Sequence, residues 1–225
     1  MNIQNPIIMH PTVFIIDDDD SVRKSLARLL ATANIQTESY ASAEAFLARK
    51  NYTGIGAIIL DIRMPGRDGM QLHEQLIEQD NNLPIIFLSG HADIATSVSA
   101  MRRGAMHFLT KPVDDEMLLH AVQEAIARHT ALNNDISAQA EVRAKMDTLT
   151  ERELEILRYV TSGATNKQIA RQLDIAEKTV KVHRAHVMEK LGAASIVDLV
   201  RACNLLDIEP LNTSPKNATA IANEN

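Results

Sequence analysis

The sequence contains no tryptophan, and aromatic residues make up only 3% of its 225 residues. Its core must therefore be built from aliphatic side chains, which fits a composition that is 45% hydrophobic and typical of globular proteins. A single cysteine, Cys203, excludes an internal disulfide framework and favours a reducing compartment. No apolar run approaches the roughly 18 residues of a membrane span, and the N-terminal MNIQNPIIMHP lacks the basic flank of a signal peptide. We expect a cytoplasmic protein without membrane contact.

The net charge of −6 is unevenly distributed along the chain. Residues 165–190 carry six Lys or Arg side chains against three acidic ones, in a protein that is acidic as a whole. A locally basic pair of helices is a weak indication of nucleic-acid binding, because solvated helices often carry such charges. The charge pattern alone does not establish nucleic-acid binding.

Up to about residue 129, short apolar runs alternate with amphipathic segments. This alternation predicts a parallel sheet covered by helices on both faces, with strands at 13–16, 36–40, 57–60, 84–89 and 107–110. The segment SVRKSLARLLATA has apolar residues at helical spacing. We predict that one residue of Asp19–Ser21 caps this helix. The first block is thus predicted to be a doubly wound α/β domain with five strands.

After Pro112 the pattern becomes helical. A helix is predicted over 114–129, and the polar segment 130–147 is interpreted as a partly or wholly helical linker that continues it. The block 148–208 is predicted to form a small all-α domain with helices at 150–162, 166–173, 177–191 and 195–204. The polar segment 209–225 is predicted to be a disordered tail.

Polar side chains follow four of the predicted strands in the first block. Asp17 and Asp18 follow the first strand, Asp61 the third, Ser89 the fourth and Lys111 the fifth. In a doubly wound sheet, chemistry takes place beyond the carboxyl ends of the strands, so these side chains should converge. Adjacent carboxylates suit Mg²⁺, and a carboxylate can attack phosphorus. Each residue alone has an ordinary structural explanation, but the set predicts phosphoryl chemistry.

The motifs IIDDD, LDIRMPGRDG, LSGHAD and FLTKP resemble those of the receiver domain of two-component response regulators, which has a flavodoxin/CheY-like fold. The resemblance implies that Asp61 is the phosphoacceptor and that Asp18 is the direct Mg²⁺ ligand. It further implies that Asp17 supports the Mg²⁺ ion largely through a water molecule. The backbone carbonyl of Arg63 would be the third protein ligand of the ion.

The same resemblance assigns the remaining residues around the phosphoacceptor. Ser89 and Lys111 correspond to the pair that binds the phosphoryl group, and Phe108 corresponds to the family's switch aromatic. The Lys111–Pro112 bond corresponds to a cis peptide, which is tolerated only before proline.

The second block has the pattern of a helix-turn-helix domain. Thr150 and Glu153 in LTERE form a predicted capping box. The segment NKQIARQLDIAEKTVKVHRAHVMEKL reads as helix, turn and helix, with a seam of apolar residues along it. The opposite face of its second helix carries basic and small residues, which suits entry into the major groove. That face comprises Lys178, Lys181, Val182, Arg184 and Ala185.

The motifs TNKQIA and KTVKVHRAHVMEKL resemble the LuxR-type DNA-binding domain of the FixJ/NarL response regulators. By position, Lys181, Val182 and Ala185 correspond to the base-contacting residues, although some relatives have a long polar residue in place of Ala185. Apart from Lys178 on the same helix, the candidates for phosphate contacts are Thr165, Asn166, Lys167, Thr179, Arg184 and Lys190. His183 and His186 are interpreted as structural, and Cys203 as a core residue.

Together the two resemblances imply a DNA-binding response regulator rather than an enzyme, apart from phosphoacceptor and slow self-dephosphorylation chemistry. The implied partners are a sensor histidine kinase, promoter DNA, a second copy of the chain after phosphorylation, and RNA polymerase. One alternative is a Mg²⁺-dependent phosphohydrolase with Asp61 as nucleophile, but Arg63 stands where such enzymes of the haloacid dehalogenase type place an acid/base aspartate. Another alternative is a constitutive DNA-binding protein with a degenerate receiver. The presence of the complete set Asp18, Asp61, Ser89 and Lys111 argues against it.

Overall fold

The computed structural model describes residues 10–50, 52–90 and 94–211. The chain divides into two compact units, residues 1–134 and 135–225. Of the predicted tail, residues 212–225 lie outside the described part of the chain. None of the described helices combines the length and the hydropathy needed to span a bilayer.

The first unit is built on a parallel sheet of five strands in the order β2-β1-β3-β4-β5. The strands are β1 (Thr12–Ile16), β2 (Gln36–Tyr40), β3 (Gly56–Asp61), β4 (Ile85–Ser89) and β5 (His107–Thr110). Strands β1, β3 and β4 are buried along their whole length, as expected for a sheet covered on both faces. The predicted α/β doubly wound fold is confirmed.

Five helices accompany this sheet: α1 (Asp20–Thr32), α2 (Ala43–Leu47), α3 (Gly69–Glu78), α4 (Ile94–Arg102) and α5 (Asp115–Met146). Side chains alternate between the two faces of a strand, so β1 contributes Phe14 and Ile16 to one hydrophobic cluster and Val13 and Ile15 to another. The sheet is therefore packed between two hydrophobic clusters, which fix the positions of the strand ends.

Helix α5 is longer than the predicted helix over 114–129. It runs through most of the segment interpreted as a linker and ends at Met146. Acidic residues stand in its first turn and basic residues in its last, which complements the helix dipole at both ends. The boundary between the two units, after Asn134, falls inside this helix.

The second unit contains α6 (Glu151–Thr161), α7 (Asn166–Leu173), α8 (Glu177–Leu191) and α9 (Ile196–Leu205). Thr150 caps α6 in the predicted capping box with Glu153. The chain leaves α7 and α8 through left-handed residues, Asp174 at φ 50° and Gly192 at φ 64°. Cys203 is 1% exposed and belongs to the core of this unit, as predicted.

Candidate functional site

Three carboxylates meet at the carboxyl ends of two neighbouring strands. Strands β1 and β3 pair directly, so Asp17 and Asp18 after β1 lie beside Asp61 at the end of β3. Asp17 is 1% exposed and Asp61 5% exposed, whereas Asp18 is open to solvent. One carboxylate oxygen of each residue lies within 4.8 Å of the others. The predicted convergence is therefore present.

Lys111 supplies the positive charge that two of these buried acids require. Its Nζ lies 2.6 Å from Asp17 Oδ2 and 2.9 Å from Asp61 Oδ1. The Lys111 amide donates to the carbonyl of Ser89 at 2.8 Å, which fixes the segment after β5 against the end of β4. Burial by itself would lower the pKa of Lys111, but its hydrogen bonds to Asp17 and Asp61 raise that pKa overall.

Burial raises the pKa of Asp61 above its ordinary value, although Lys111 acts in the opposite direction. The charges of Asp17 and Asp18 add to the increase. The site therefore holds an excess of negative charge that a single lysine does not balance, which favours binding of a cation.

The donor set fits Mg²⁺, which prefers hard oxygen ligands and keeps several waters. Asp18 lies at the solvent side of the cluster, and an open surface pocket of about 620 Å³ adjoins Asp18, Arg63 and Met64. Asp17 is less accessible, because its Oδ1 accepts from the Asp19 amide at 2.9 Å and its Oδ2 faces Lys111. Of the two carboxylates, Asp18 is therefore the one more accessible to a cation from solvent.

Backbone packing at Gly69 positions the phosphoacceptor candidate. A Cβ atom at this position would lie 2.2 Å from the carbonyl oxygen of Asp61, so only glycine permits the contact. The Gly69 amide also donates to the carbonyl of Ile62 at 2.9 Å. The start of α3, which Asp68 caps, is thereby held against the end of β3.

Ser89 and Phe108 occupy neighbouring strands on one side of the cluster. Ser89 ends β4 and is 3% exposed. Phe108 lies on β5 opposite Phe87, where it is partly buried against the first hydrophobic cluster. Both residues therefore lie on the two strands that follow β3 in the order of the sheet.

The aspartate run is divided between the carboxylate cluster and the start of α1, and the predicted helix cap is confirmed. The side chain of Asp19 caps α1 by accepting from the amides of Ser21 and Val22, at 2.8 and 3.4 Å. Asp20 lies in the first helical turn and pairs with Lys24 at the surface. The first two aspartates of the run therefore belong to the site and the last two to the helix start.

In the second unit, α7 and α8 present the predicted DNA-contacting residues largely to solvent. The exposed side chains are Thr165, Lys167, Lys178, Thr179, Lys181, Val182, Ala185 and Lys190. The apolar seam packs inward, with Ile169, Val180 and Val187 fully buried. The half-buried Arg184 donates to Asn166 Oδ1 at 2.7 Å, so two of the phosphate-contact candidates on different helices hold each other in place.

Lys190 has a structural partner that the sequence pattern did not reveal. Its Nζ lies 2.6 Å from Glu153 Oε2 and 3.0 Å from the carbonyl of Thr148. The hydrogen bond from Lys190, with help from the Thr150 amide, lowers the pKa of Glu153 to about 2. Lys190 would have to leave this ion pair to contact a DNA phosphate, so its predicted role competes with its role in the fold.

The Glu153–Lys190 pair should make the second unit sensitive to acid. A carboxyl whose pKa is depressed on folding stabilises the protein above its unfolded value of 4.5, and that stabilisation is lost as the pH falls towards about 2. Glu153→Ala should lower the free energy of unfolding at pH 7 by roughly 1–2 kcal/mol, because it removes the hydrogen bond from the Thr150 amide that completes the capping box and also the ion pair with Lys190.

Urea unfolding followed by circular dichroism at several pH values measures this effect. Glu153→Gln is the matched variant, because glutamine retains the capping box without the charge. Its stability should depend less on pH between 4.5 and 2 than that of the wild type. An identical pH dependence of the two proteins would show that the carboxylate contributes nothing through its charge.

Two family models match this chain. Residues 13–123 match the model described as response regulator receiver domain, and residues 147–203 match the one described as bacterial regulatory proteins, luxR family. The two matches contain, respectively, the carboxylate cluster with Lys111 and the helices α6 to α8.

Curated relatives and solved structures cover most of the chain. Response regulator protein TodT of Pseudomonas putida is 39% identical over 194 residues, 86% of each chain. Transcriptional regulatory protein FixJ of Rhizobium meliloti is 40% identical over 190 residues, 84% of this chain and 93% of the relative. The solved response regulator StyR aligns with a TM-score of 0.81 at 39% identity, covering 87% of this chain and 98% of StyR.

Proposed function

The chain belongs to the FixJ/NarL-type response regulators of two-component systems, which join a receiver domain to a LuxR-type DNA-binding domain, and we propose that phosphorylation of Asp61 controls its binding to promoter DNA. The observation that carries this proposal is the contact of Lys111 with both Asp17 and Asp61, at 2.6 and 2.9 Å. This contact unites residues from three strand ends in one site for an anionic group.

In the proposed reaction, a carboxylate oxygen of Asp61 forms a bond to phosphorus while the bond from phosphorus to the donor breaks. The donor's leaving group keeps the electron pair of that bond, and a phosphohistidine of a sensor kinase is the proposed physiological donor. Lys111 neutralises the transferred group and Ser89 hydrogen-bonds to it. Asp17, Asp18, Asp61 and the backbone carbonyl of Arg63 would hold Mg²⁺, which screens negative charge between the acid cluster and the phosphoryl oxygens.

Asp18→Asn should abolish labelling by acetyl phosphate in the presence of Mg²⁺, because it removes the solvent-exposed carboxylate of the cluster. The fold should persist, since Asp18 is exposed to solvent. Phosphoprotein gel analysis with and without EDTA measures the effect, and Asp20→Asn is the control on a neighbouring exposed carboxylate. Labelling of the wild type that survives EDTA would exclude the metal role.

The second domain is proposed to place α8 in the major groove. Lys181, Val182 and Ala185 would face base edges, with Ala185 able to contact a thymine methyl group. Residues at the edges of α7 and α8 would contact phosphates and set the orientation of the helix. One domain reaches a single half-site, so specific binding is proposed to use two copies about one helical turn apart.

Two exposed lysines separate base readout from phosphate anchoring. Lys181→Ala should cost about 1–3 kcal/mol on the specific operator and relax specificity at one position. Lys167→Ala should weaken binding to all sequences alike and flatten the salt dependence by about one unit. Fluorescence anisotropy titrations on specific and scrambled duplexes at several salt concentrations measure both. Equal behaviour of the two variants would contradict this division of roles.

The remaining partners follow from the proposed regulation of transcription. A cognate sensor histidine kinase would dock near the exposed side of the Asp61 site, and a second copy of the chain would bind after phosphorylation. RNA polymerase is the proposed downstream partner at the promoter. The phosphohydrolase alternative is not favoured, because Arg63 offers no carboxyl group for acid/base catalysis.

A further inference from the structure

The second unit contains a cluster of possible metal ligands, two of which lie on the helix that also carries the proposed base-reading residues. Glu153 lies on α6, and His183 and His186 lie on α8, three residues apart and therefore on adjacent parts of one helix face. One ligand atom of each residue lies within 4.8 Å of the other two. His186 Nδ1 lies 3.7 Å from Glu153 Oε1.

The carboxylate of Glu153 is held in one orientation. Its Oε2 accepts from Lys190 Nζ at 2.6 Å and from the Thr150 amide at 2.8 Å. Its Oε1 is the oxygen that faces His186. Carboxylate ligands of metals are commonly fixed by hydrogen bonds to their second oxygen, which is the arrangement present here. Glu153 is also only 4% exposed, so it has little freedom to turn away.

The two histidines of the cluster differ in their exposure to solvent. His183 Nδ1 is buried and has no hydrogen-bond partner in the described part of the chain. Buried polar atoms are nearly always partnered, and a bound ion is one explanation for an exception. The side chain of His186 is 53% exposed, so it can rotate towards an ion and leaves an approach from solvent.

We propose that Glu153, His183 and His186 bind a divalent transition-metal ion of the Zn²⁺ class and thereby link α6 to α8. Two imidazoles and one carboxylate are a donor set that suits Zn²⁺ or Co²⁺, with a water in the fourth position. The all-oxygen cluster of the first unit suits Mg²⁺ instead, so the two units have sites of different chemistry.

Only a small rearrangement is needed to form the metal site. Bonds of 2.0–2.1 Å in tetrahedral geometry place ligand atoms about 3.4 Å apart, compared with the present limit of 4.8 Å. The exposed imidazole of His186 can close most of this difference. Lys190 can stay on Oε2, because the ion would use Oε1, although its charge opposes the ion and limits the affinity.

Cobalt binding to the full-length protein tests the proposal. Metal-free protein is titrated with Co²⁺ in excess Mg²⁺, which occupies the carboxylate cluster of the receiver. We expect visible absorption bands of tetrahedral Co²⁺ that saturate at one equivalent and disappear when Zn²⁺ is added. His186→Gln and His183→Gln should each weaken Co²⁺ binding at least about tenfold, since even outer-shell changes have effects of this size.

Two controls distinguish this site from others. His120→Gln removes an exposed histidine of the first unit and should leave the cobalt spectrum unchanged. Asp18→Asn disables the acid cluster and should also leave it unchanged. Wild-type Co²⁺ affinity in His186→Gln, which changes a side chain that is 53% exposed, would overturn the proposal. Loss of the cobalt bands in Asp18→Asn would overturn it as well, because the ion would then lie in the receiver.

Discussion

Incubation with acetyl phosphate and Mg²⁺ should attach one phosphoryl group to the wild-type chain and none to Asp61→Asn. The amide of asparagine is not a nucleophile towards phosphorus, whereas the carboxylate of Asp61 is. Lys111 lies 2.9 Å from Asp61 Oδ1 and can neutralise the product without a large movement. Intact-protein mass spectrometry measures the incorporation.

Asp20→Asn is the matched control for this loss. Asp20 belongs to the same aspartate run but pairs with Lys24 at the surface, so its removal should leave phosphorylation intact. A phosphoryl group on Asp61→Asn, or a loss of equal size in Asp20→Asn, would mean that the nucleophile lies elsewhere.

Phosphorylation should also convert the protein from monomer to dimer, which is the second large expected effect. The phosphoryl group adds roughly two negative charges beside Lys111 and Ser89. Movement of Ser89 towards this group would open space that the partly buried Phe108 can fill. We expect the surface formed by α4, β5 and the first half of α5 to change shape and become the dimer contact.

The exposed residues of that surface suit a contact between copies. Val98 and Met101 on α4 are 45% and 47% exposed, and Met117 on α5 is 59% exposed. Val98→Asp should therefore prevent the dimer without preventing phosphorylation. Ile77→Asp is the matched control, because Ile77 is 50% exposed but lies on α3. Sedimentation velocity of the phosphorylated proteins measures the mass; equal dimerisation of both variants would place the contact elsewhere.

Much of the fold could be predicted because it depends on local patterns. The buried runs of β1, β3 and β4 and the caps at Asp19 and Thr150 are recognisable within a few residues of sequence. The convergence of the carboxylates also follows from a general rule, since parallel strands end at one edge of the sheet.

Contacts between distant side chains could not be predicted in the same way. Lys190 and Glu153 are 37 positions apart and lie on helices, so the rule for strand ends does not bring them together. Such pairs depend on the packing of whole elements and on side-chain orientation rather than on spacing. This is why the sequence suggests a phosphate contact for Lys190 and does not reveal its pairing with Glu153.

The length of α5 illustrates an intermediate case. The segment 130–147 contains no Gly or Pro and is compatible with a helix, but its polarity gave no periodic signal. The helix continues through it to Met146, which packs into the core of the second unit. The composition of residues 130–147 alone does not decide their conformation. The buried contact of Met146 helps to stabilise them as a helix.

Control of DNA binding by Asp61 is tested most directly by titrating a duplex with two half-sites. Dimerisation brings a tethered second DNA-binding domain to the duplex, so a phosphodonor should raise the affinity of the wild type by about 10²–10⁴-fold. The affinity of Asp61→Asn should not respond, and a duplex with one half-site should show little change for either protein. An Asp61→Asn protein that responds to the phosphodonor like the wild type, or a wild type that does not respond, would contradict phosphorylation of Asp61 as the switch.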